Sequence, residues 1–180
     1  MSKQYETIEP ELAAWIREQR LFFVATAPLS PDGHINNSPK GGDSFRVLGP
    51  LEVAYQDYTG SGIETVAHLR ENGRIVIMFC AFNGAPKILR LHGVGSVITP
   101  DETRYAELAT HFPPNPGTRA IIHVTVSRVV DSCGWAVPIY DFREPRVGLD
   151  NWAIKQGPEG LIAYHKAKNQ ESIDGLPGLR

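Results

Sequence analysis

The sequence predicts an α+β domain built on an antiparallel β-barrel of six or seven strands, with three or four flanking helices. Short runs rich in β-branched and aromatic residues are separated by turn residues, as in antiparallel sheets. Segments with helical spacing do not alternate regularly with strands, which argues against a parallel βαβ sheet. The 180 residues, 42% of them hydrophobic, suit one domain, with a core over about 9–138 and C-terminal loops and a helix in 139–180.

In the first sixty residues the pattern predicts one helix and four strands. The helix begins near Pro10, because proline is favoured in a first helical turn and Leu12 and Trp15 follow at helical spacing. Turns rich in glycine, proline and aspartate separate the strands. These elements span residues 9–20, 21–27, 34–39, 45–48 and 51–57.

The rest of the chain predicts three helices and three strands. Ser61 and Glu64 have the spacing of a capping box, and the helix that follows them ends at Gly73. Pro100 occupies the first position of the next helix. The predicted helices span residues 63–70, 100–112 and 161–168, and the strands span residues 74–82, 87–98 and 120–130.

Composition and charge exclude several classes of function. The net charge is −2, and the Lys and Arg residues are scattered, so we expect no nucleic-acid partner. The N-terminus is polar, and no apolar run approaches the roughly 18 residues that a membrane span needs, so we expect no membrane partner and a cytoplasmic protein. The six histidines and two cysteines show no metal-ligand spacing, and we expect no metal. Motifs of known catalytic classes are absent, so the catalytic residues are unknown.

Two polar segments could bind an anion. Residues 58–62 lie between a strand and a helix start, where free backbone N–H groups and the helix dipole favour a phosphate. The alternative is that the glycines only turn the chain while Ser61 caps the helix, with Glu64 repelling any phosphate. Residues 36–40 place two amides, a hydroxyl and a cation on one strand, although a solvated edge ended by Pro39 explains them equally well.

Three further residues have weaker signals. Lys87 and Arg90 lie on a long predicted strand, either at a site or on an exposed charged face. Trp135 could present a flat apolar face to a planar ligand or fill the core.

Taken in order, these features resemble the split-barrel family that binds flavin mononucleotide (FMN) and is related to pyridoxamine 5'-phosphate oxidase. The matching segments run from residue 21 to 98, and the segments near the C-terminus look like those of an uncharacterised branch of that family. They include Asn36-Asn-Ser-Pro-Lys40, Asp57-Tyr-Thr-Gly-Ser61, Leu89-Arg-Leu-His-Gly-Val-Gly95, Ser132-Cys-Gly-Trp-Ala-Val-Pro138 and residues 168–179. The resemblance implies a split β-barrel that binds FMN at the interface of a homodimer.

The resemblance also implies roles for individual residues. The residues expected to hold the FMN phosphate are Ser38, Lys40, Thr59 and Ser61. Those expected near the ring are Asn36 and Asn37, and those expected at the interface side of the cofactor are Lys87, Arg90 and Trp135.

The function implied is that of an FMN-dependent oxidoreductase, which transfers a hydride between the flavin and an unidentified small substrate. The C-terminal Arg-x-His signature of the true oxidases is absent, so we do not expect oxidation of pyridoxamine phosphate. The alternatives are a non-catalytic flavin or haem binder and a dimeric interaction module without a cofactor.

Overall fold

One antiparallel sheet forms the centre of the protein, and helices pack around it. The computed structural model describes residues 2–179 and gives eight strands and four helices in that range. The strands are β1 Gln4–Tyr5, β2 Leu21–Thr26, β3 Asn36–Gly41, β4 Phe45–Gly49, β5 Glu52–Tyr58, β6 Arg74–Cys80, β7 Ile88–Ile98 and β8 Thr118–Ser132. The helices are α1 Pro10–Glu18, α2 Glu64–Asn72, α3 Thr103–Ala109 and α4 Gly148–Lys168.

The sheet curls so that its two end strands approach each other. Its strand order is β3-β2-β6-β7-β8-β5-β4, with β1 added to β8, so β3 and β4 are at opposite ends. The ring of Phe45 on β4 nevertheless lies 5.1 Å from that of Phe22 on β2 and 5.0 Å from that of Phe79 on β6. The split-barrel prediction is therefore confirmed.

The main core fills the inside of the curled sheet. Alternate residues of β2, β5, β6 and β7 point inward, and Val24, Tyr55, Ile77 and Leu91 have no exposed surface. A smaller cluster on the outer face joins Ala54 and Ile121 of the sheet to α3 and the turn after it. Helix α2 packs against β2, β6 and β7, which places its N-terminus beside β3.

The predicted ends of the first helices are mostly correct. Helix α1 begins at Pro10, and Gly73 ends α2 with a φ of 72°, the left-handed conformation that favours glycine. The capping box at Ser61 is wrong, because the N-cap of α2 is Ile63 and no side chain caps it. Glu64 is thus the first helical residue, and its carboxylate accepts a hydrogen bond from the backbone N–H of Ile173.

Helix α3 starts later than its sequence pattern predicts. The capping contact itself forms, since Glu102 accepts hydrogen bonds from the N–H and hydroxyl of Thr99. Regular helix begins only at Thr103, after a turn. The predicted start at Pro100 is therefore wrong by three residues.

The C-terminal region contains more helix than the predicted 161–168. Helix α4 spans Gly148–Lys168, with a kink at Gly157, whose φ is 64° and ψ 176°. A hairpin, residues 169–179, follows it, with Glu171 bridged to Pro177 and a turn at Gly175. We call it the C-terminal hairpin. Within residues 2–179 no helix combines the length and apolar character needed to cross a lipid bilayer.

Candidate functional site

A polar cleft of about 260 Å³ lies between β3 and the start of α2. We call it the β3–α2 cleft. It is lined by Asn36, Ser38, Pro39, Lys40, Gly60, Gly62, Glu64, Thr65 and Arg119.

The register of β3 explains which of its side chains reach the cleft. Ser38 pairs with Val24 and Lys40 pairs with Phe22, and opposite residues of an antiparallel pair share a face of the sheet. Since Val24 and Phe22 are core residues, Ser38 and Lys40 lie on the inner face as well. Asn37 alternates to the outer face and is exposed.

A buried carboxylate holds two cations at the cleft. Asp57 has no exposed surface, and its oxygens accept hydrogen bonds from Lys40 Nζ at 2.7 Å and Arg119 Nε at 2.8 Å. Burial alone would raise the pKa of Asp57, but the charges and hydrogen bonds of Lys40 and Arg119 outweigh burial and lower that pKa below its ordinary value. The three groups therefore carry one net positive charge.

The loop of residues 60–62 presents backbone donors. Arg119 donates to the carbonyls of Gly60 at 3.2 Å and Gly62 at 2.8 Å, and Asn169 Nδ2 donates to Gly60 O at 2.9 Å. In a trans peptide the N–H points away from the C=O, so the N–H groups of Ser61 and Ile63 point away from these donors.

No acceptor from residues 2–179 takes the N–H groups of Ser61, Gly62 or Ile63. They adjoin the N-terminus of α2, whose first N–H groups also lack helical partners. Successive backbone donors at a helix start form an anion-binding site.

Asn36 organises the floor of the cleft. Its Nδ2 donates to the hydroxyls of Thr65 at 3.0 Å and Thr26 at 3.2 Å, and its Oδ1 accepts from Ser38 at 2.9 Å. Thr26 Oγ1 in turn lies 3.0 Å from Nδ1 of the buried His68, and burial lowers the pKa of that histidine. Asn36 is thus engaged with protein groups and orients Ser38 and Thr65.

Glu64 is the one lining residue with a negative charge that no cation offsets within 4 Å in the described chain. A Cβ on Gly62 would lie 2.5 Å from its Oε2, so the carboxylate sits directly beside the loop. It opposes any anion bound there.

The structure gathers only some of the predicted site residues. Asn36, Ser38 and Lys40 line the β3–α2 cleft, and Ser61 belongs to its loop. Thr59 is buried, and its hydroxyl donates to Gly117 O while its oxygen lies 2.9 Å from His165 Nε2. Thr59 therefore binds Gly117 and His165 and does not line the cleft, although it directly precedes the loop of residues 60–62.

The residues predicted for the interface side lie elsewhere. Lys87 and Trp135 line a second cleft of about 610 Å³ beside α1, where Lys87 Nζ lies 4.9 Å from the Trp15 ring centroid. Trp135 is 84% exposed, so the interpretation that it fills the core is wrong. Arg90 donates to Ser132 Oγ at 2.9 Å and lines neither cleft.

Sequence reasoning missed Arg119, Asp57 and Asn169. The signal for the first two was charge near the ends of apolar strands, since Asp57 is the second-to-last residue of β5 and Arg119 is the second residue of β8. Asn169 carries no such signal, because it lies 109 residues from the carbonyl that it binds.

The model of a family described as pyridoxamine 5'-phosphate oxidase matches residues 8–133. The pyridoxamine 5'-phosphate oxidase family protein ustO of Aspergillus flavus is 42% identical over an alignment of 194 positions, gaps included. The alignment covers 97% of this chain and 77% of that protein.

Three solved structures share the fold at low sequence identity. A variant of HupZ from Group A Streptococcus has a TM-score of 0.55 and 24% identity, covering 69% of this chain and 99% of that one. An FAD-binding protein from Mesorhizobium loti has a TM-score of 0.51 and 12% identity over 73% and 95%. A general stress protein 26 relative from Clostridium acetobutylicum, of the pyridoxinephosphate oxidase family, has a TM-score of 0.51 and 14% identity over 68% and 86%.

Proposed function

This chain belongs to the pyridoxamine 5'-phosphate oxidase family, and on that premise we propose that it binds FMN with the phosphate in the β3–α2 cleft. The observation that carries the proposal is the set of backbone N–H groups of Ser61, Gly62 and Ile63 without a protein acceptor among the described residues. Backbone donors at a helix N-terminus fit a phosphate group.

The cluster of Lys40, Arg119 and Asp57 supports an anionic ligand, although the carboxylate of Glu64 brings the net charge of the four groups to zero. Lys40 and Arg119 share one carboxylate, that of Asp57, which leaves one positive charge for a phosphate. Because Asp57 also fixes both cations in place, little side-chain entropy is lost when an anion binds. The hydroxyl of Ser38 adds a donor that can turn from Asn36 to the ligand.

The size of the cleft favours a site completed by a second chain. Its volume of about 260 Å³ is below the range of about 300–1,000 Å³ typical of sites that enclose a drug-sized ligand. We therefore propose that one chain encloses only the phosphate end of FMN and that the ring lies between the two chains of a homodimer.

A segment of exposed apolar residues supports this dimer. Trp135, Ile139, Tyr140 and Phe142 are 84, 77, 62 and 54% exposed along an irregular segment after β8. Several exposed apolar side chains within one short segment suit a protein–protein interface. In the homodimer, Lys87, Arg90 and Trp135 of one chain would face the cofactor held by the other.

We propose that the bound flavin serves an FMN-dependent oxidoreductase. The cofactor supplies the hydride chemistry, and the protein supplies binding, orientation and exclusion of water. Within this chain, hydrogen bonds with Asn36 orient the hydroxyls of Ser38 and Thr65. The carboxylate of Asp57 holds the side chains of Lys40 and Arg119 at the cleft.

A non-catalytic flavin binder is the second candidate. The cations lining the cleft are paired with Asp57, and within the described chain the carboxylate of Glu64 is the one unpaired lining group that could accept a proton. Haem iron is held by histidine, cysteine, methionine or tyrosine, and none of these in residues 2–179 lines the β3–α2 cleft, so this cleft itself offers haem no axial ligand. Turnover of a nicotinamide donor by the FMN-loaded protein distinguishes the enzyme from the binder.

The proposal is tested by comparing FMN with riboflavin, which lacks the phosphate. Purified protein is mixed with each flavin and passed through gel filtration, and each dissociation constant is measured by fluorescence quenching. We expect FMN to be retained and riboflavin to bind at least about tenfold more weakly, since a hydrogen bond to a charged group contributes about 1.5–3 kcal/mol.

Lys40→Ala should remove most of the preference for FMN, while the exposed Lys166→Ala should keep it. Equal affinity for FMN and riboflavin would overturn the phosphate assignment. Absence of binding to either flavin would overturn the flavin proposal itself.

A further inference from the structure

The C-terminal hairpin packs against the loop of residues 60–62, and we propose that Asn169 is a positioning residue that sets this loop for a phosphate. This inference rests on the proposed FMN function. It adds to the site a residue from the opposite end of the chain, which acts through the backbone of the loop.

Asn169 is the direct link between the hairpin and the loop. Its side chain is fully buried, and Nδ2 lies 2.9 Å from Gly60 O and 3.5 Å from Ser61 O. Fixing these two carbonyls also fixes the N–H groups of Ser61 and Gly62, because each N–H belongs to the same planar peptide as the carbonyl before it. Asn169 therefore orients donors that it does not itself contact.

Arg119 alone is a weaker constraint on the same carbonyls. Its guanidinium is already committed to Asp57 through Nε, and its contact with Gly60 O is longer, at 3.2 Å. Its other hydrogen bond to the loop goes to Gly62 O, and none goes to Ser61 O. Asn169 is thus the contact that restrains the middle of the loop.

The hairpin is anchored to the start of α2 and to the segment before β3. The backbone N–H of Ile173 donates to Glu64 Oε1 at 3.3 Å. Asp174 accepts from His34 N–H at 2.8 Å, and its other oxygen lies 2.6 Å from His34 Nδ1. The same element that orders the backbone donors therefore also holds the carboxylate that opposes an anion.

Close backbone packing fixes the position of the hairpin relative to the start of α2. A Cβ on Gly178 would lie 2.3 Å from Asn169 O and 2.9 Å from a side-chain carbon of Ile63, the N-cap of α2. Leu179 N–H donates to Asn169 O, and Arg70 donates to Gly178 O. These contacts tie Asn169 to the first turn of α2.

The test compares Asn169→Ala with Ser172→Ala. Ser172 is buried in the same hairpin, and its hydroxyl accepts only from Leu176 N–H in the described chain, so its loss weakens the hairpin without touching the loop. We expect Asn169→Ala to weaken FMN binding by about tenfold and riboflavin binding by less than about twofold. Ser172→Ala should leave the ratio of the two affinities unchanged.

A second readout needs no flavin. Amide hydrogen exchange of Ser61, Gly62 and Ile63 in ligand-free protein should be faster in Asn169→Ala than in Ser172→Ala. The changes in NMR chemical shift of these amides on titration with inorganic phosphate should be smaller in Asn169→Ala than in Ser172→Ala. If wild-type protein binds no FMN, the proposed function fails, and these amide measurements still decide the role of Asn169.

A purely structural role would be shown by equal losses of FMN and riboflavin affinity, or by loop exchange that matches the Ser172→Ala control. Either result would overturn the proposal. Selective loss of FMN affinity with faster loop exchange would support it.

Discussion

The ammonium of Lys40 lies 2.7 Å from Oδ1 of Asp57, and this pair joins β3, one end of the strand order, to β5, next to the other end. Arg119 of β8 binds the second oxygen of the same carboxylate. A single buried carboxylate therefore links strands near the two ends of the sheet. It also fixes two cations at the cleft.

Replacing Asp57 with asparagine should destabilise the protein strongly. Lys40 and Arg119 would keep their charges with no counter-ion, at a cost of about 3–5 kcal/mol in the free energy of unfolding. Urea denaturation measures the change. Asp43→Asn is the matched control, because its pair with Arg46 is 72% exposed on the aspartate side and should contribute less than about 1 kcal/mol. Equal effects of the two substitutions would contradict the role given to Asp57.

Stability should fall as the pH drops below about 6.5. Burial lowers the pKa of His68 and of His165 in the folded protein below the ordinary value of 6.5. Below that value the unfolded chain binds protons that the folded protein does not, so acid favours unfolding, by up to about 1.4 kcal/mol per pH unit for each histidine.

The measurement is urea denaturation at pH 7, 6 and 5. His68→Asn should reduce the pH dependence, and replacement of the exposed His111 by asparagine serves as the comparison. An unchanged slope in His68→Asn would show that His68 protonates equally in both states.

Glu64→Gln should strengthen phosphate binding. Glutamine keeps an acceptor for Ile173 N–H and removes the negative charge beside the loop. Repulsion between unit charges about 4 Å apart in water is about 1 kcal/mol, so FMN should bind about fivefold more tightly and riboflavin should be unaffected. The exposed Glu107→Gln changes the net charge equally and should have no effect. A gain in Glu107→Gln of the same size would indicate a long-range charge effect instead.

Gly157→Ala should destabilise α4 through backbone strain alone. A Cβ at Gly157 would meet no atom within 4 Å, but its φ of 64° and ψ of 176° form a conformation that is essentially restricted to glycine. The expected loss is about 1–3 kcal/mol. Gly148→Ala is the control, since its Cβ also meets nothing and its φ is not positive, so the thermal midpoint should stay or rise slightly. Equal midpoints in the two variants would mean that the kink is not required.

The sequence predicted the sheet well because strand signals are local. Alternation of apolar residues and the turns between them fixed β2 through β8 to within a few residues, and Gly73 marked the end of α2. The first half of α4 was missed, and among its apolar residues only Ala153 is fully buried. Leu149 and Ile154 are 41 and 65% exposed, so they form no stripe facing a core.

Part of the candidate site could also be predicted. Asn36, Ser38 and Lys40 alternate on one strand, and that alternation places them on a common face. The roles within the set could not be predicted, because Asn36 proved to orient its neighbours and Thr59 to face away from the cleft.

By itself, then, the sequence determined the strands, the class of fold, the family resemblance and the wall of the cleft formed by β3. Each of these depends on spacing between near neighbours in the chain. Only the tertiary structure brought Asp57, Arg119 and Asn169 to that wall, across separations of 17 to 109 residues. Buried charges and polar groups must find partners wherever the fold places them, and those partners leave no periodic trace in the sequence.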